Sequence, residues 1–391
     1  MSSVTPRINS LKDKDIFMKI KRIELYQIDL PYSGGVYHLS GGREYRSFDA
    51  SIVKIIADNG LEGWGESTPF GSTYIASHAL GARAGIAEIA PHLLGKDPRQ
   101  VDRINETMDN ALVGHNHAKS ALDLACWDLF GKSVNLPVCE LLGGSTGRRL
   151  PVISSIHADT PDAMRENVAK HRELGYLGHS VKIGAVDSEG GPVLDAERIK
   201  ASLADQKPGE FFIVDANGGL TPEMALRIFR LLPKGLDFVL EAPCKTWRET
   251  KSLRQRCDVP FSLDELIQQD EDLIHAITED LIDGVGLKIS KAGGLTHSRR
   301  HRDIGLAAGL SLSVQETVGS DIPFAAIAHL GATIPERNLR CLLDTRGMVS
   351  IHTAEFDAPI VDGGVMVPNK PGLGITVDED LLGSPVAVWG D

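Results

Sequence analysis

Cysteine is scarce in this sequence of 391 residues, and the few cysteines show no paired spacing. Scattered thiols without a C-x-x-C pair argue against a disulfide framework and against a zinc site built from cysteine. The sequence therefore predicts reduced thiols in a cytoplasmic protein. The five positions are Cys126, Cys139, Cys244, Cys257 and Cys341.

Long apolar runs and an excess of positive charge are also missing. No apolar stretch reaches the roughly 18 residues that a membrane-spanning helix needs, and the N-terminus lacks the apolar core of a secretory signal. Acidic residues outnumber basic ones by 53 to 41, and the formal net charge is −12. We therefore expect no nucleic-acid partner and no membrane partner.

Five short apolar segments, each ending in a charged residue, dominate the middle of the chain. A βα unit, which is a strand with its crossover helix and loops, has about the length that separates them. Because the carboxyl ends of parallel barrel strands meet at one rim, we expect the five charged side chains to converge. They are Lys182, Asp215, Glu241, Asp264 and Lys288, at intervals of 33, 26, 23 and 24 residues.

The flanking segments extend this pattern to eight strands. The run from Leu150 reads as a first strand, and two later apolar runs end at Glu316 and Asp344. No eighth helix is apparent. The prediction is an α/β fold, a (β/α)7β TIM-like barrel.

The region before the barrel has a different pattern. From Met18 the residues alternate as in antiparallel strands, and Asn59-Gly60 is a hairpin signal. Residues 76–145 have helical periodicity. We therefore expect an α+β N-terminal capping domain, which the C-terminal tail completes. The predicted parts are a polar extension (1–17), the capping domain (18–148), the barrel (149–350) and a C-terminal segment that packs back on the capping domain (351–391).

Asp215, Glu241 and Asp264 are candidate metal ligands. One acidic residue after a strand often caps the next helix, but three on consecutive strands favour a shared site. Without a cation, converging carboxylates would repel one another. An all-oxygen ligand set suits Mg²⁺, or Mn²⁺, better than zinc. The sequence thus predicts a divalent cation with open positions for a substrate carboxylate.

Lys182 and Lys288 flank that triad in barrel order and are candidate acid/base residues. A closed barrel can aim them at opposite faces of a substrate, and a desolvated lysine beside a divalent cation has a lowered pKa. This arrangement predicts removal of a proton from a carbon next to a carboxylate. Glu265 and Glu316 are interpreted either as further ligands or partners of the metal and Lys288, or as structural residues.

These motifs resemble the enolase superfamily, and within it the muconate lactonizing enzyme subgroup. The resemblance covers residues 18 to 391 and implies a lysine acid/base pair, Mg²⁺, a small-molecule substrate and a homo-oligomer. The absence of a histidine on strand seven argues against the mandelate racemase subgroup. The matching motifs are V-D-A-N-G-G (Asp215, Asn217), L-E-A-P (Glu241), L-D-E (Asp264, Glu265) and L-K-I-S-K-A-G-G (Lys288), with Asn217 and Glu265 as neighbours of the ligands.

One position departs from the subgroup. Its members usually carry Lys-x-Lys on the second barrel strand, whereas this chain has Ser180-Val181-Lys182. The second lysine is retained, and the first, a positive charge, is replaced by a hydroxyl. Either the pKa of Lys182 is less depressed than usual or Ser180 contacts the substrate.

The resemblance also implies a substrate. Asp344 matches the acidic position that members acting on amino acids use for the α-ammonium. Two loops, carrying Tyr37, His38 and Tyr74, resemble those of cis-3-hydroxy-L-proline dehydratases, and Glu316 is a further expected substrate contact. We therefore expect Mg²⁺-dependent α-proton abstraction from a cyclic amino acid and β-elimination of water, which gives Δ¹-pyrroline-2-carboxylate.

Other functions remain open at this stage. A racemase or 2-epimerase of proline-type amino acids or betaines would use the same lysines without a leaving group. A sugar-acid dehydratase is disfavoured because Asp344 offers an anion to a neutral polyol. The remaining alternatives are a binding protein that kept the fold and a phosphate-binding barrel using Gly293-Gly294.

Overall fold

The structure is a computed structural model that describes residues 18–391. The polar extension predicted for residues 1–17 lies outside the described residues. The described chain begins with antiparallel strands, followed by helices. The strands are β1 (Ile20–Pro31), β2 (Tyr37–Leu39), β3 (Arg43–Tyr45), β4 (Ser47–Ala57) and β5 (Glu62–Ser67). The helices are α1 (Ala79–Leu93), α2 (Val101–Ala111), α3 (Asn116–Val134) and α4 (Val138–Leu141).

The hairpin and the long helix follow from local sequence. β4 and β5 pair antiparallel around a tight turn in which Gly60 has φ +84°, a conformation that glycine adopts without strain. α3 is buried on most of its faces and packs against β5 and the barrel. Its small and apolar side chains suit a helix enclosed between two layers.

A closed barrel of eight parallel strands follows, as the sequence predicts. The strands are β6 (Leu150–Ile156), β7 (Gly178–Lys182), β8 (Phe211–Asp215), β9 (Val239–Glu241), β10 (Phe261–Leu263), β11 (Gly284–Lys288), β12 (Ser311–Gln315) and β13 (Leu339–Leu343). The helices are α5 (Pro161–Glu173), α6 (Gly191–Leu203), α7 (Pro222–Leu231), α8 (Trp247–Arg254), α9 (Asp270–Thr278), α10 (Ile289–Ala292), α11 (Leu295–Ala307) and α12 (Asp321–Gly331). A short 3₁₀ turn, Arg346–Met348, follows β13.

The barrel register brings the predicted charged residues together. β13 pairs with β6 and closes the barrel. Lys182 is the register partner of Asp215, and Asp215 is the register partner of Glu241. The residues that precede them in the strands are mostly buried and apolar. The polar ends of the strands therefore share one rim.

The C-terminal segment returns to both parts of the protein. β15 pairs antiparallel with β6 of the barrel, and β17 pairs antiparallel with β1. The capping sheet therefore has the order β17-β1-β4-β5. The predicted domain boundaries stay a prediction. The elements are β14 (Ala354–Phe356), β15 (Gly364–Val365), β16 (Ile375–Val377), α13 (Glu379–Leu382) and β17 (Ala387–Gly390).

Within residues 18–391, no helix combines the length and apolar character needed to span a membrane.

One buried carboxylate joins three of these segments. Asp128 of α3 has no exposed surface. It accepts hydrogen bonds from Trp64 N at 3.0 Å, Lys132 Nζ at 2.7 Å and Leu373 N at 2.8 Å. Because Trp64 belongs to β5 and Leu373 to the C-terminal segment, this side chain ties that segment to the capping domain.

Replacing Asp128 by alanine should lower the free energy of unfolding by about 3–5 kcal/mol, because two buried N–H groups and a lysine lose their acceptor. Urea unfolding followed by circular dichroism measures the change. Asp205→Ala is the control, since it removes only an exposed ion pair with Arg165 and should have little effect. A loss no larger than that of the control would contradict the bridging role of Asp128.

Candidate active site

A cavity lies at the carboxyl ends of the barrel strands, beneath two loops of the capping domain. Tyr37 and Phe70 contribute to its roof, and the barrel strands supply its walls. The structure brings most of the predicted residues to this place. Those that line the cavity are Tyr37, Tyr74, Ser180, Lys182, Asn217, Lys288 and Glu316.

The two lysines each form an ion pair with a carboxylate of the predicted triad. Lys182 Nζ donates to Asp215 Oδ2. Lys288 Nζ lies 2.5 Å from Asp264 Oδ2 and also donates to the hydroxyl of Tyr74. All four charged side chains are almost fully buried. The lysines therefore neutralise two of the three carboxylates.

Glu241, the third carboxylate, ends β9, which lies between the strands that carry Asp215 and Asp264. Its Oε1 accepts a hydrogen bond from Gln315 Nε2 at 2.9 Å. Burial, followed by the negative charges of Asp215 and Asp264, raises the pKa of Glu241 to about 8. The position of Gly286 allows this crowding, because a β-carbon there would lie 3.0 Å from Glu241 Oε1 and from Asp264 Cβ.

The predicted metal ligands share one rim, but their side chains do not form a ready cage. In residues 18–391, no group of three or more His, Cys, Asp or Glu side chains is arranged so that it could hold a metal ion. The physical reason is that Asp215 and Asp264 are turned towards the lysine ammonium groups. The donor set still fits a hard divalent cation, since three buried carboxylates on consecutive strands supply only oxygen. The raised pKa of Glu241 indicates the negative potential that such a cation would relieve.

Burial and the neighbouring carboxylates act in opposite directions on the pKa of Lys182. Burial would lower this pKa, but the surrounding negative charges, that of Asp215 foremost, together raise it above the ordinary lysine value. The pKa of Lys288 is raised in the same way: burial lowers it, and Asp264 contributes most to the opposing increase. The protein's own charges therefore favour two protonated lysines.

A hydrogen-bond chain connects the two lysines through the capping domain. Tyr74 OH donates to Glu265 Oε1 at 2.8 Å. Asn217 Nδ2 donates to the same oxygen at 2.9 Å and to Asp215 Oδ2 at 2.9 Å. The chain thus begins at Lys288 and ends at the carboxylate that holds Lys182. Glu265 lies at its centre and does not contact either lysine directly.

Glu316 lines the cavity, and its carboxylate is fixed by hydrogen bonds from neighbouring residues. Its carboxylate accepts hydrogen bonds from Ser290 N at 2.6 Å, Ser290 Oγ at 2.5 Å and Thr317 N at 3.0 Å. Burial raises the pKa of Glu316 to about 7, against the lowering effect of these donors.

Asp344 does not occupy the place expected for a substrate-binding acid. Its carboxylate forms a two-pronged ion pair with Arg346, at 2.9 Å and 2.8 Å, and accepts from Tyr176 OH at 3.2 Å. It lines a neighbouring cavity, separated from the central one by Ser155 and Met348, which border both. Asp344 is thus already paired with a cation of the protein, and its predicted contact with a substrate ammonium group stays a prediction.

His38 also lies away from the central cavity. In β2, Tyr37 and Leu39 are buried and line the cavity, whereas the side chain of His38 points to the other side. Alternation along a strand is the cause. The side chain of His38 is 43% exposed, its Nδ1 lies 3.4 Å from Glu44 Oε1, and it lines a different surface cavity. The expected substrate contact by His38 is therefore corrected.

Ser180 forms part of a wall of hydroxyl groups. It is the register partner of Ser155, and both line the cavity. Ser155 Oγ lies 2.8 Å from Tyr37 OH. Of the two readings of Ser180, its position is compatible with contact to a substrate.

Two residues near the carboxylates were not singled out from the sequence. Gln315 ends β12 and binds Glu241, and its place at the end of a strand was the available signal. Lys291 donates to the backbone oxygen of Asp264. Burial lowers the pKa of Lys291 to about 8, and the charge of Lys288 acts in the same direction. Its spacing of three residues from Lys288, one helical turn, could have indicated it.

Comparison with known proteins identifies the family of the chain. The profile of the enolase C-terminal domain-like family matches residues 163–381, and that of the mandelate racemase/muconate lactonizing enzyme N-terminal domain matches residues 45–143. A cis-3-hydroxy-L-proline dehydratase from Roseibium aggregatum is 39% identical, over 95% of this chain and 99% of that protein.

Two further relatives differ widely in their identity to this chain. A protein from Roseovarius nubinhibens, provisionally named a mandelate racemase/muconate lactonizing enzyme, was solved in complex with magnesium. It has a TM-score of 0.94 and 59% identity, and the match covers 95% of this chain and 100% of that chain. An N-succinyl-L-Arg/Lys racemase from Bacillus cereus is 27% identical over 93% of this chain and 97% of that protein.

Magnesium should raise the thermal unfolding midpoint of the protein, and Glu241→Gln should abolish that rise while stabilising the protein without magnesium. The variant removes a carboxyl group whose raised pKa opposes folding at neutral pH, where the unfolded chain ionises it, and it also removes a ligand. At a magnesium concentration 100 times Kd, the wild type should gain about 2.7 kcal/mol. Differential scanning calorimetry with and without Mg²⁺ measures both effects.

Glu66→Gln is the matched control for this variant. Glu66 is also buried, and its pKa is raised to about 7 mainly by burial, but its partners are Thr68, Ser320 and Thr353. It should therefore keep the magnesium response. An equal response in wild type and Glu241→Gln would reject the metal assignment.

Proposed function

The chain belongs to the mandelate racemase/muconate lactonizing enzyme family of the enolase superfamily, and on this basis we propose that it is a hydro-lyase acting on cis-3-hydroxy-L-proline. The observation that carries the proposal is a pair of buried lysines, Lys182 and Lys288, lining one cavity beside three carboxylates. The similarity to a protein named as this dehydratase supports the choice of substrate.

We propose that Asp215, Glu241 and Asp264 hold a divalent cation, with Mg²⁺ as the first candidate and Mn²⁺ as the second. Support comes from the oxygen donor set and from the Roseovarius structure complexed with magnesium. When bound, the cation would offset the charge of the three carboxylates and polarise the substrate carboxylate, which makes the α-proton more acidic.

The chain's own residues would carry the proton transfers. The charge of a bound cation would favour the neutral form of Lys182, whose Nζ takes the α-proton from the L-configured carbon, and the electron pair forms the C2–C3 double bond. The C3–O bond breaks as Lys288 Nζ donates a proton to the departing hydroxyl on the opposite face. One water is released, and the enamine tautomerises to Δ¹-pyrroline-2-carboxylate. Lys182 ends the turnover with one proton more and Lys288 with one fewer.

Tyr37 and Phe70 would cover the substrate. Tyr37 is almost fully buried, and its ring packs edge-on against Phe70 at 5.2 Å between centroids. Such a roof would exclude bulk water, which strengthens the electrostatic interactions inside the cavity. The hydroxyl groups of Tyr37, Ser155 and Ser180 would offer neutral hydrogen-bond partners to the polar groups of the ring.

A racemase or 2-epimerase of proline-type amino acids is the second candidate. The same lysine pair could remove the α-proton on one face and return a proton on the other. The racemase relative from Bacillus cereus favours this reading. Turnover of a substrate without a 3-hydroxyl group distinguishes the two functions.

Proton NMR in D₂O with Mg²⁺ should show the wild type converting cis-3-hydroxy-L-proline, with loss of the C3 carbinol signal and appearance of the imine. L-Proline and proline betaine serve as comparison substrates, offered separately. Deuterium entering the α-position without elimination would make the enzyme an epimerase. No change with any of the three would reject the assigned substrate class.

Lys182→Ala should reduce loss of the α-proton from the L-substrate by about 10²–10⁴-fold, the range typical of a lost general base. Lys288→Ala should instead suppress elimination while α-exchange continues. Lys54→Ala is the control, because Lys54 is also buried and ion-paired, with Glu62 and Glu379, but lies outside the cavity. Normal α-exchange in Lys182→Ala would contradict its role as the base.

A further inference from the structure

The two lysines of the cavity are anchored differently. Within the described residues, the ammonium group of Lys182 contacts one side chain, the carboxylate of Asp215. That of Lys288 contacts two, the carboxylate of Asp264 and the hydroxyl of Tyr74. Two of its three N–H bonds are thus directed by the protein, which leaves one for a substrate atom.

Tyr74 makes a second contact with the same lysine. Lys288 Nζ lies 5.0 Å from the centroid of the Tyr74 ring, within the range of a cation–π interaction. The hydroxyl accepts from Lys288 and donates its own hydrogen to Glu265 Oε1 at 2.8 Å. Because Asn217 donates to that same oxygen at 2.9 Å, Glu265 is itself held in place. The position of the phenol is therefore defined on both sides.

These two residues come from different parts of the fold. Tyr74 lies on the capping-domain loop after β5, and its ring packs against Phe70 at 5.5 Å. Lys288 ends barrel strand β11. The geometry on one face of the cavity therefore depends on where the capping loop sits, whereas the contacts of Lys182 lie within the barrel.

We propose that Tyr74 is a positioning residue for Lys288, and that its hydroxyl determines whether proton transfer on the Lys288 face succeeds. This inference rests on the proposed function, because it assigns the two faces of the substrate to different lysines. It adds a positioning role to the substrate contact that the sequence predicts for Tyr74. A displacement of about 1 Å at a reacting group can cost about 10²-fold in rate, so the loss of one anchor is measurable.

Tyr74→Phe is the sharpest variant, because it keeps the ring over Lys288 and removes only the hydroxyl. We expect elimination from cis-3-hydroxy-L-proline, and α-deuterium exchange of D-proline, to fall at least about 10-fold. Exchange of the α-proton in the L-substrates, which requires Lys182, should stay within about 3-fold of wild type. The readout is the ratio of the rate on the Lys288 face to the rate of α-exchange on the Lys182 face. A general loss of structure would lower both rates and leave this ratio unchanged.

Tyr45→Phe is the matched control. Tyr45 belongs to the same aromatic cluster, and its ring centroid lies 4.8 Å from that of Phe70. The variant removes a 2.6 Å hydrogen bond between Tyr45 OH and Thr73 Oγ1 on the same loop, but Tyr45 does not contact either lysine. It should leave the face ratio unchanged. In a Lys288→Ala background, Tyr74→Phe should have no further effect on exchange from the L-face.

The outcomes separate the two levels of the proposal. Neither elimination from cis-3-hydroxy-L-proline nor α-exchange of any of these substrates by the wild type would reject the proposed function and this inference with it. Turnover by the wild type, with both faces slowed equally in Tyr74→Phe, would reject only the inference and indicate a substrate contact. An unchanged Tyr74→Phe enzyme would also reject the inference.

Discussion

The balance of buried charge at one rim of the barrel is the constraint on which the rest of the structure depends. Three carboxylates and the ammonium groups of Lys182, Lys288 and Lys291 are almost fully buried there, and burying any one of them alone would be costly. The barrel register fixes their order, because Lys182, Asp215 and Glu241 are neighbours on adjacent strands. The apolar side chains of the strands below stabilise the fold and offset the free-energy cost of burying these charges.

The capping domain completes what the barrel begins. It contributes the roof through Tyr37 and Phe70, and it contributes the phenol of Tyr74 that reaches Lys288. A barrel alone would present its charges to water, where they would be screened and hydrated. The two parts are therefore one functional unit, and the buried carboxylate of Asp128 helps to hold them in register with the C-terminal segment.

The sequence predicts the barrel and its charged rim well, because both depend on short-range pattern. Apolar runs of strand length at regular spacing leave few other folds, and Asp215 or Lys288 at the end of such a run can only face the rim. His38 was wrongly expected in the cavity because a one-residue alternation, set by how β2 pairs with β3, decides its side. The pairing of Asp344 with Arg346 was not expected, because Arg346 turns back onto it across a 3₁₀ turn.

The contact between Tyr74 and Lys288 could not be predicted, because 214 residues separate the two and a loop must close over the barrel. The pKa of Lys182 was beyond reach as well, since it depends on the balance between burial and the charges nearby.

The pairing of β17 with β1 has a consequence for the synthesis of the protein. A ribosome makes the N-terminal sheet early, but residues 387–390 follow only after the whole barrel has emerged. Until then residues 22–25 of β1, which β17 later pairs, keep open hydrogen-bonding groups that can pair with another nascent chain. The N-terminal sheet is thus synthesised first but is completed by some of the last residues. A chain that ends before β17 would leave this edge of β1 unpaired.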